Sequence, residues 1–401
     1  MKTIQRFFLL ILSLFTGCSK EETGPAIHIR VIPPTGYTPA FDKVQVTLTN
    51  KETGFAYEAV CSPAGIASFH VEYGYYTASV YHTTDENIVL SGRIDTLSLL
   101  PEQKDSAIPV AELLLSKAQS NALIIKEIYY VGCKGEVDKE AGIKQSDKGY
   151  SEDQYVILCN NSEETVYLDG ICIGMVDPVN SIESPWMKHT DMKRVPVNNM
   201  TWQFPGNGQD YPLLPGEETI IATNAVDHTN EEYGHANSID LSKADWGFWD
   251  VSLDEQVISP GVTPMKLILK TSPEWKYSFS VMGPTLMLFK IQGVSTEAYI
   301  NNPENRESRP QSSNPNRRYL MIPKEWILDC VDCVEDAKQV ANKRVPQELN
   351  HEAAYIPQGA YSGKSLLRKK IVDARGRIVY QDTNNSAEDM EISVPTLKSK
   401  R

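Results

Sequence analysis

Positive charge is scarce in this chain of 401 residues: 39 Lys and Arg stand against 52 Asp and Glu, a formal net charge of −13. An acidic surface repels phosphate backbones, which excludes broad nucleic-acid binding. The short basic clusters Arg317-Arg318 and Arg368-Lys369-Lys370 read as solvated surface. Cysteine is sparse as well. Seven are present, at 18, 61, 133, 159, 172, 330 and 333, too few for a disulfide scaffold, so packing must carry the fold. No apolar run approaches the roughly 18 residues of a membrane span. The chain also lacks a His-Glu-x-x-His pair, a Gly-x-Ser-x-Gly elbow, a Walker loop and a strand-linked Gly-x-Gly-x-x-Gly. No catalytic residue, metal or cofactor is therefore expected. Internal repeats and heptads are missing too.

What is present begins at the N-terminus. Lys2 and Arg6 precede an apolar run from Phe7 to Phe15, followed by Thr16-Gly17-Cys18 and then by Ser19-Lys20-Glu21-Glu22. Such a run is too short for about 30 Å of hydrocarbon and reads as a secretory signal peptide over residues 1–17. A small residue before a cysteine resembles the bacterial lipobox, although Phe15 stands where that pattern prefers Leu. The resemblance implies cleavage before Cys18, its acylation, and a tether over 18–25. Ser19, Lys20, Glu21 and Glu22 resemble the Lys-plus-acidic signal that sends Bacteroidetes lipoproteins to the outer surface. The implied localisation is the outer membrane, lipid-anchored and facing the exterior.

Residues 26–118 read as short antiparallel strands. His28–Ile32 stops at Pro33-Pro34, and Val44–Thr49 alternates apolar and polar residues with the period of a half-buried strand. The spacing Gly65-x-Ala67-x-Phe69-x-Val71-x-x-Gly74-x-Tyr76-x-x-x-Val80 resembles a prealbumin-like, carboxypeptidase-regulatory β-sandwich. In that pattern Gly65 turns the chain into one strand and Gly74 into the next. A second domain is expected over 121–290. Its strand Leu123–Tyr130 is followed by a polar loop and by two apolar runs flanking Asn160-Asn161-Ser162-Glu163-Glu164, which is hairpin chemistry.

Ile125-Lys126-Glu127-Ile128-Tyr129-Tyr130, Asp153-Gln154-Tyr155-Val156, Asn160-Asn161-Ser162, Leu168-Asp169-Gly170 and Leu214-Pro215-Gly216-Glu217-Glu218-Thr219 resemble the lamin-tail type of Ig fold. That pattern usually carries a glutamate where this chain has Ile157 and an aromatic where it has Cys159. More narrowly, the whole chain resembles the Bacteroidetes lipoproteins grouped as DUF4876, with Gln381–Ser386 in keeping. The fold class implied is mainly β: a prealbumin-like sandwich, then a lamin-tail-like Ig sandwich with long insertions. Residues 291–401 are expected as a C-terminal extension packed on the second domain.

Few constellations carry chemistry. Cys330-Val331-Asp332-Cys333 lacks the βαβ context of a redox centre and the second ligand pair of a zinc knuckle, so a structural Cys330–Cys333 disulfide is expected. His228 and His235 lie near Asp227, Glu231 and Glu232, a grouping common in polar loops. Asp95-Thr96-Leu97 and Asp105-Ser106-Ala107 resemble the Bacteroidetes O-glycosylation motif, which makes Thr96 and Ser106 candidate acceptors. Two long segments, Asp177–Tyr211 and Asn224–Pro264, carry Trp186, Trp202, Trp246 and Trp249. These rings are either candidate binding aromatics or loop packing.

The expectation is a non-enzymatic envelope lipoprotein that acts as a binding or accessory module. It is held to the membrane by its acyl anchor, with an outer-membrane transporter or another envelope protein as partner. The alternatives are an envelope hydrolase whose site forms only in the fold, and a purely structural assembly component. Cys18→Ala should release the protein from membranes in cell fractionation. Alanine at Lys20, Glu21 and Glu22 should leave it anchored but hidden from external protease. Protease accessibility of the triple variant on intact cells would refute surface export.

Overall fold

The computed structural model describes residues 25–34, 37, 39–83, 89–101, 110–117, 122–134, 149–187, 192–230, 237–314, 316–372 and 376–398. It is mainly β, and its contacts divide it into two compact units. One runs up to Val80 and resumes at Ile94–Leu114; the other comprises Tyr81–Arg93 and everything from Leu115 onward.

The strands that make up the first unit are β1 (Ala26–Ile32), β2 (Gln45–Asn50), β3 (Ala56–Val60), β4 (Ile66–His70), β5 (Gly74–Thr83) as far as Val80, β6 (Val89–Leu99) from Ile94, and β7 (Val110–Leu114). One sheet has the order β4-β1-β7, the other contains β3-β2-β5-β6. Alternation sets the faces. Ile27, Ile29 and Val31 of β1 are buried, as are Val46 and Leu48 of β2 and Ala67 and Phe69 of β4. Gly65 makes the expected turn: its φ is +74°, its N–H donates to the Ser62 carbonyl at 2.8 Å, and a Cβ there would stand 2.9 Å from the Phe41 ring.

The second unit is a larger β-sandwich. Its main strands are β8 (Leu123–Tyr129), β9 (Tyr155–Asn160), β10 (Ile171–Val176), β11 (Arg194–Gln203), β12 (Glu218–Ala222), β13 (Thr285–Lys290), β14 (Arg318–Pro323), β15 (Ile327–Val334), β16 (Ser365–Arg368) and β17 (Met390–Ser393). The order β12-β9-β8-β16-β17 runs through one sheet, and β14-β11-β10-β13-β15 through the other. Residues beyond 290 are therefore not an extension laid on a finished domain: β14 and β15 complete one sheet, β16 and β17 the other. Their short, polar-flanked apolar runs resemble surface connections in sequence, and only pairing with distant strands reveals them.

The second sheet is buried on both faces, which explains its unbroken apolar runs. Along β13, Leu286 and Leu288 enter the core between the sheets, while Met287 and Phe289 enter a second core on the outer face. Ile173 and Cys172 divide likewise, as do Val331 and Cys330. Loops cover that outer face with Trp186, Met192, Tyr299, Ile300 and Val345.

This alternation also corrects the expected disulfide. Cys330 and Cys333 are free and buried, and they face different cores. Three residues along a strand span about 10 Å, beyond the ~7 Å Cα separation that a disulfide tolerates. Burial pushes both thiols up, so they pack as neutral apolar groups.

Arg368 supplies another correction. Rather than joining a solvated basic cluster, its side chain is 2% exposed. Its Nη2 donates to both oxygens of Asp329 at 2.8 and 3.0 Å, Nη1 to Asp382 and Asp389 at 3.1 Å each, and Nε to the Ile125 carbonyl at 2.9 Å. Asp329 also accepts the Ile125 N–H at 2.5 Å. Ile125 sits where the β8–β9 register shifts, so its backbone groups leave the regular ladder and are met by side chains instead. The pair thereby joins β8 and β16 of one sheet to β15 of the other.

Two buried carboxyls give this unit a pH dependence. Burial pushes Asp153 up to about 7, and it pushes Asp329 up to about 6 against the pull of Arg368. Both lie above the ordinary ~3.9 of an aspartate. The folded chain therefore binds protons more tightly than the unfolded one, and this stabilisation, complete below about pH 4, is lost as pH rises through 6 to 7. The thermal unfolding midpoint should fall between about pH 5 and pH 8, and Asp153→Asn should flatten that slope and stabilise the chain at the alkaline end by on the order of 2 kcal/mol. A midpoint that climbs with pH in this window, or an unchanged slope in the variant, would contradict the assignment. Arg368→Met strands three buried carboxylates and should cost about 3–5 kcal/mol in denaturant unfolding; a loss below 1 kcal/mol would show that the cluster is not structural.

Candidate functional site

The aromatics expected from sequence mostly pack. Trp202 is fully buried between the sheets against Phe248 and Tyr277. Trp246 is buried against Phe204 and Tyr211, and its indole N–H donates to Thr219 Oγ1 at 3.0 Å. Trp186 is buried edge-on to Tyr319. Trp249 is half-buried and donates to the Gln256 carbonyl at 3.1 Å. Trp186, Trp202 and Trp246 are thus committed to packing, while Trp249 keeps part of its surface exposed. The structure instead exposes Trp275, which is 64% accessible and stands in the segment Pro273-Glu274-Trp275-Lys276. In sequence the signal is an aromatic flanked by Glu274 and Lys276 directly after Pro273, in a segment too short to stand out as an insertion.

Trp275 lines a groove of about 700 Å³ in the second unit. Met175, Val179 and Met200 supply apolar lining, with Asn180, Asn199 and Glu274 among the polar groups. A smaller recess of about 240 Å³ adjoins it, sharing Val179, Asn180, Asn198 and Asn199 and adding Asp177, Arg309 and Arg317.

The walls are fixed by Asp177, just past the end of β10. Its carboxylate is fully buried and takes Arg309 in a fork, Nε at 3.0 Å and Nη2 at 2.6 Å. It also accepts Asn198 Nδ2 and Trp186 Nε1, each at 3.0 Å. One carboxylate thus holds β11, the loop after β10 and the segment before β14. The hydrogen bond to Asp177 raises the Arg309 guanidinium further, and Arg309 stays a cation. Arg309 and Arg317 lie over the Tyr319 ring at 5.5 and 5.3 Å. Arg317 then donates to Asn199 Oδ1, and Asn199 Nδ2 to Glu274 Oε1, both at 2.8 Å. This relay sets the amide of Asn199 and draws Glu274 beside Trp275.

A second cavity, about 620 Å³, lies over Trp246, Tyr211 and Asp245. Its polar groups serve the fold. Asp245 accepts the Ile220 N–H at 2.8 Å and the Thr219 hydroxyl at 3.2 Å, and Glu218 is paired with Lys126 at 2.6 Å. Nearby, Asp169 of the Leu-Asp-Gly motif accepts the N–H groups of Gly208, Asp210 and Tyr211, each at 2.9 Å.

Other sequence candidates stay apart. His228 is buried with both ring nitrogens engaged, Nδ1 with the Tyr150 hydroxyl at 2.6 Å and Nε2 with the Asn224 carbonyl at 2.7 Å, and burial lowers its pKa. It is therefore neutral and committed to the fold. His235, Glu231 and Glu232 lie outside the described residues, as do Cys18, Ser19, Lys20, Glu21, Glu22 and Ser106. Among the described residues no group of three His, Cys, Asp or Glu converges on a metal position. Thr96 is exposed, and its hydroxyl accepts Lys51 Nζ at 3.0 Å.

A crystal structure of a DUF4876 family protein from Bacteroides thetaiotaomicron VPI-5482 is similar to this chain, with a TM-score of 0.60 and 23% identity over 94% of this chain and 97% of that one. At that identity it speaks for the fold. A candidate adhesin from Bacteroides ovatus ATCC 8483 matches at 14% identity over 36% of this chain and 82% of its own, and its TM-score of 0.21 carries no argument. No curated protein matches the chain. Residues 214–396 match the model of DUF4876, described as a protein of unknown function. That segment runs from β12 through β17 and so includes strands of both sheets and the Trp275 segment. Over these residues the chain matches the DUF4876 family model, and its fold is similar to that of a DUF4876 family protein.

Proposed function

We propose that the protein is a cell-envelope lipoprotein that works as a non-enzymatic binding or accessory module, anchored through Cys18 on the outer surface and associated with an outer-membrane transporter. The observation that carries the binding reading is the exposed Trp275 indole, set in a groove whose walls the buried Asp177 carboxylate and its partner Arg309 hold in place. Indole supplies a large, stiff contact area, and a wall fixed in advance lowers the entropy cost of recognition. Of the groove's carboxylates, Glu274 bonds to the Asn199 amide and Glu255 has no side-chain partner among the described residues, so neither is paired with a nucleophile. The anchor and the outward orientation rest on the Gly17-Cys18 junction and the Ser19–Glu22 signal.

The intact lipoprotein, purified from detergent-solubilised envelopes, should bring a transporter with it in stoichiometric amount. The same preparation should release no product from envelope polymers. Recovery of the lipoprotein alone would argue against the accessory role, and sustained turnover of a polymer would favour the hydrolase.

A further inference from the structure

We propose that the Trp275 groove takes neutral pyranose units of an oligosaccharide or glycan, an inference that rests on the binding reading above. A pyranose is divided by face. Its axial C–H groups form an apolar patch, and its hydroxyls ring the edge, each able to donate and to accept. The groove is divided in the same way. The indole of Trp275 gives a flat apolar surface, and Met175 and Val179 extend it. Around it stand groups suited to hydroxyls. Asn180 accepts the Ser280 hydroxyl at 2.9 Å through Oδ1, and its NH₂ meets no partner among the described residues. Glu274 gives one oxygen to Asn199 and keeps the other. The Glu255 carboxylate also meets no partner among the described residues and lines the same groove.

Charge narrows the ligand class. Carboxylates only accept, so Glu255 and Glu274 call for a ligand that donates, and they repel an anionic one. The cations nearby do not reverse this: Lys276, which also lines the groove, is paired with Glu152 at 2.7 Å, Arg309 is neutralised by Asp177, and Arg317 keeps its charge but is held toward Asn199 and the Tyr319 ring in the recess, one cation against the two groove carboxylates. A cationic ligand is less well served. Recognition of an ammonium calls for a cage of several ring faces, whereas here Tyr277 and Phe279 are buried, 4% and 2% exposed. The volume of about 700 Å³ falls within the range of small-ligand sites.

The test uses the full chain on a printed array of neutral glycans, with polygalacturonate and an oligolysine peptide as anionic and cationic probes. Neutral hits are then titrated by calorimetry. At least one neutral glycan should bind. Trp275→Ala should weaken it about tenfold or more, Trp275→Phe should stay within about threefold because a ring remains, and Trp249→Phe should change nothing. Because Trp275 is exposed, the thermal midpoint of the variants should match the parent. If only polygalacturonate or oligolysine binds in a Trp275-dependent way, the ligand class is wrong and the binding reading stands. If glycan binding survives Trp275→Ala, the groove is not the recognition site and this inference falls while the binding reading stands; if no probe binds, both fall.

Discussion

A guanidinium sealed between two β-sheets is the constraint on which the larger unit depends. Arg368 meets Asp329 from β15, the Ile125 carbonyl from β8, and Asp382 and Asp389 from the turns before β17. Apolar packing between sheets is nondirectional and tolerates sliding. A fork of fixed donors does not, since each misplacement leaves a buried charge unpaired. The cluster therefore sets which strands adjoin, and it locks β16 and β17, the last strands described, into a sheet begun more than two hundred residues earlier.

The buried Arg344 and the half-buried Arg309 repeat the device with their own carboxylates at the other crossings. Arg344 pairs with Asp332 and also donates to the Cys333 and Gly283 carbonyls, fixing the segment after β15 over the end of β13. Arg309 pairs with Asp177 and fixes the covering loops on the outer face. Glu127 does the same for the chain end, accepting the Tyr155 hydroxyl at 2.8 Å and the Thr396 N–H at 3.0 Å. Loops held in this manner do not collapse onto the sheet, and the space they leave beside Met175 and Met200 becomes the groove. Stability and recognition thus share one cause at Asp177.

The strands of the first unit were legible in sequence because each buries one face, so that β1, β2 and β4 show period two directly. The second sheet of the larger unit was harder. Cys172-Ile173 and Leu286-Met287-Leu288-Phe289 are apolar throughout, because one face meets the other sheet and the next meets the covering loops. Such a run fixes neither face nor partner. β16 was hidden for the opposite reason: Arg368 and its lysine neighbours look like surface, and only the three aspartates brought from elsewhere make burial of that arginine tolerable. The Cys330–Cys333 pairing failed on strand geometry, which sequence proximity conceals. The tryptophans named from the long segments proved to be core: Trp202 lies in β11 and with Trp246 fills the space between the sheets, and Trp186 fills the core on the outer face. Trp275 lies in a short segment with no such core.

Hydrogen–deuterium exchange of the full chain, with and without a saturating mixture of neutral oligosaccharides, tests the central claim that recognition occurs in the Trp275 groove. Protection is predicted for the amides at 175–180, 198–200 and 274–280, with no change at 210–219, 242–246 or 260–263 around the second cavity. Protection confined to the second cavity, or none anywhere, would contradict it.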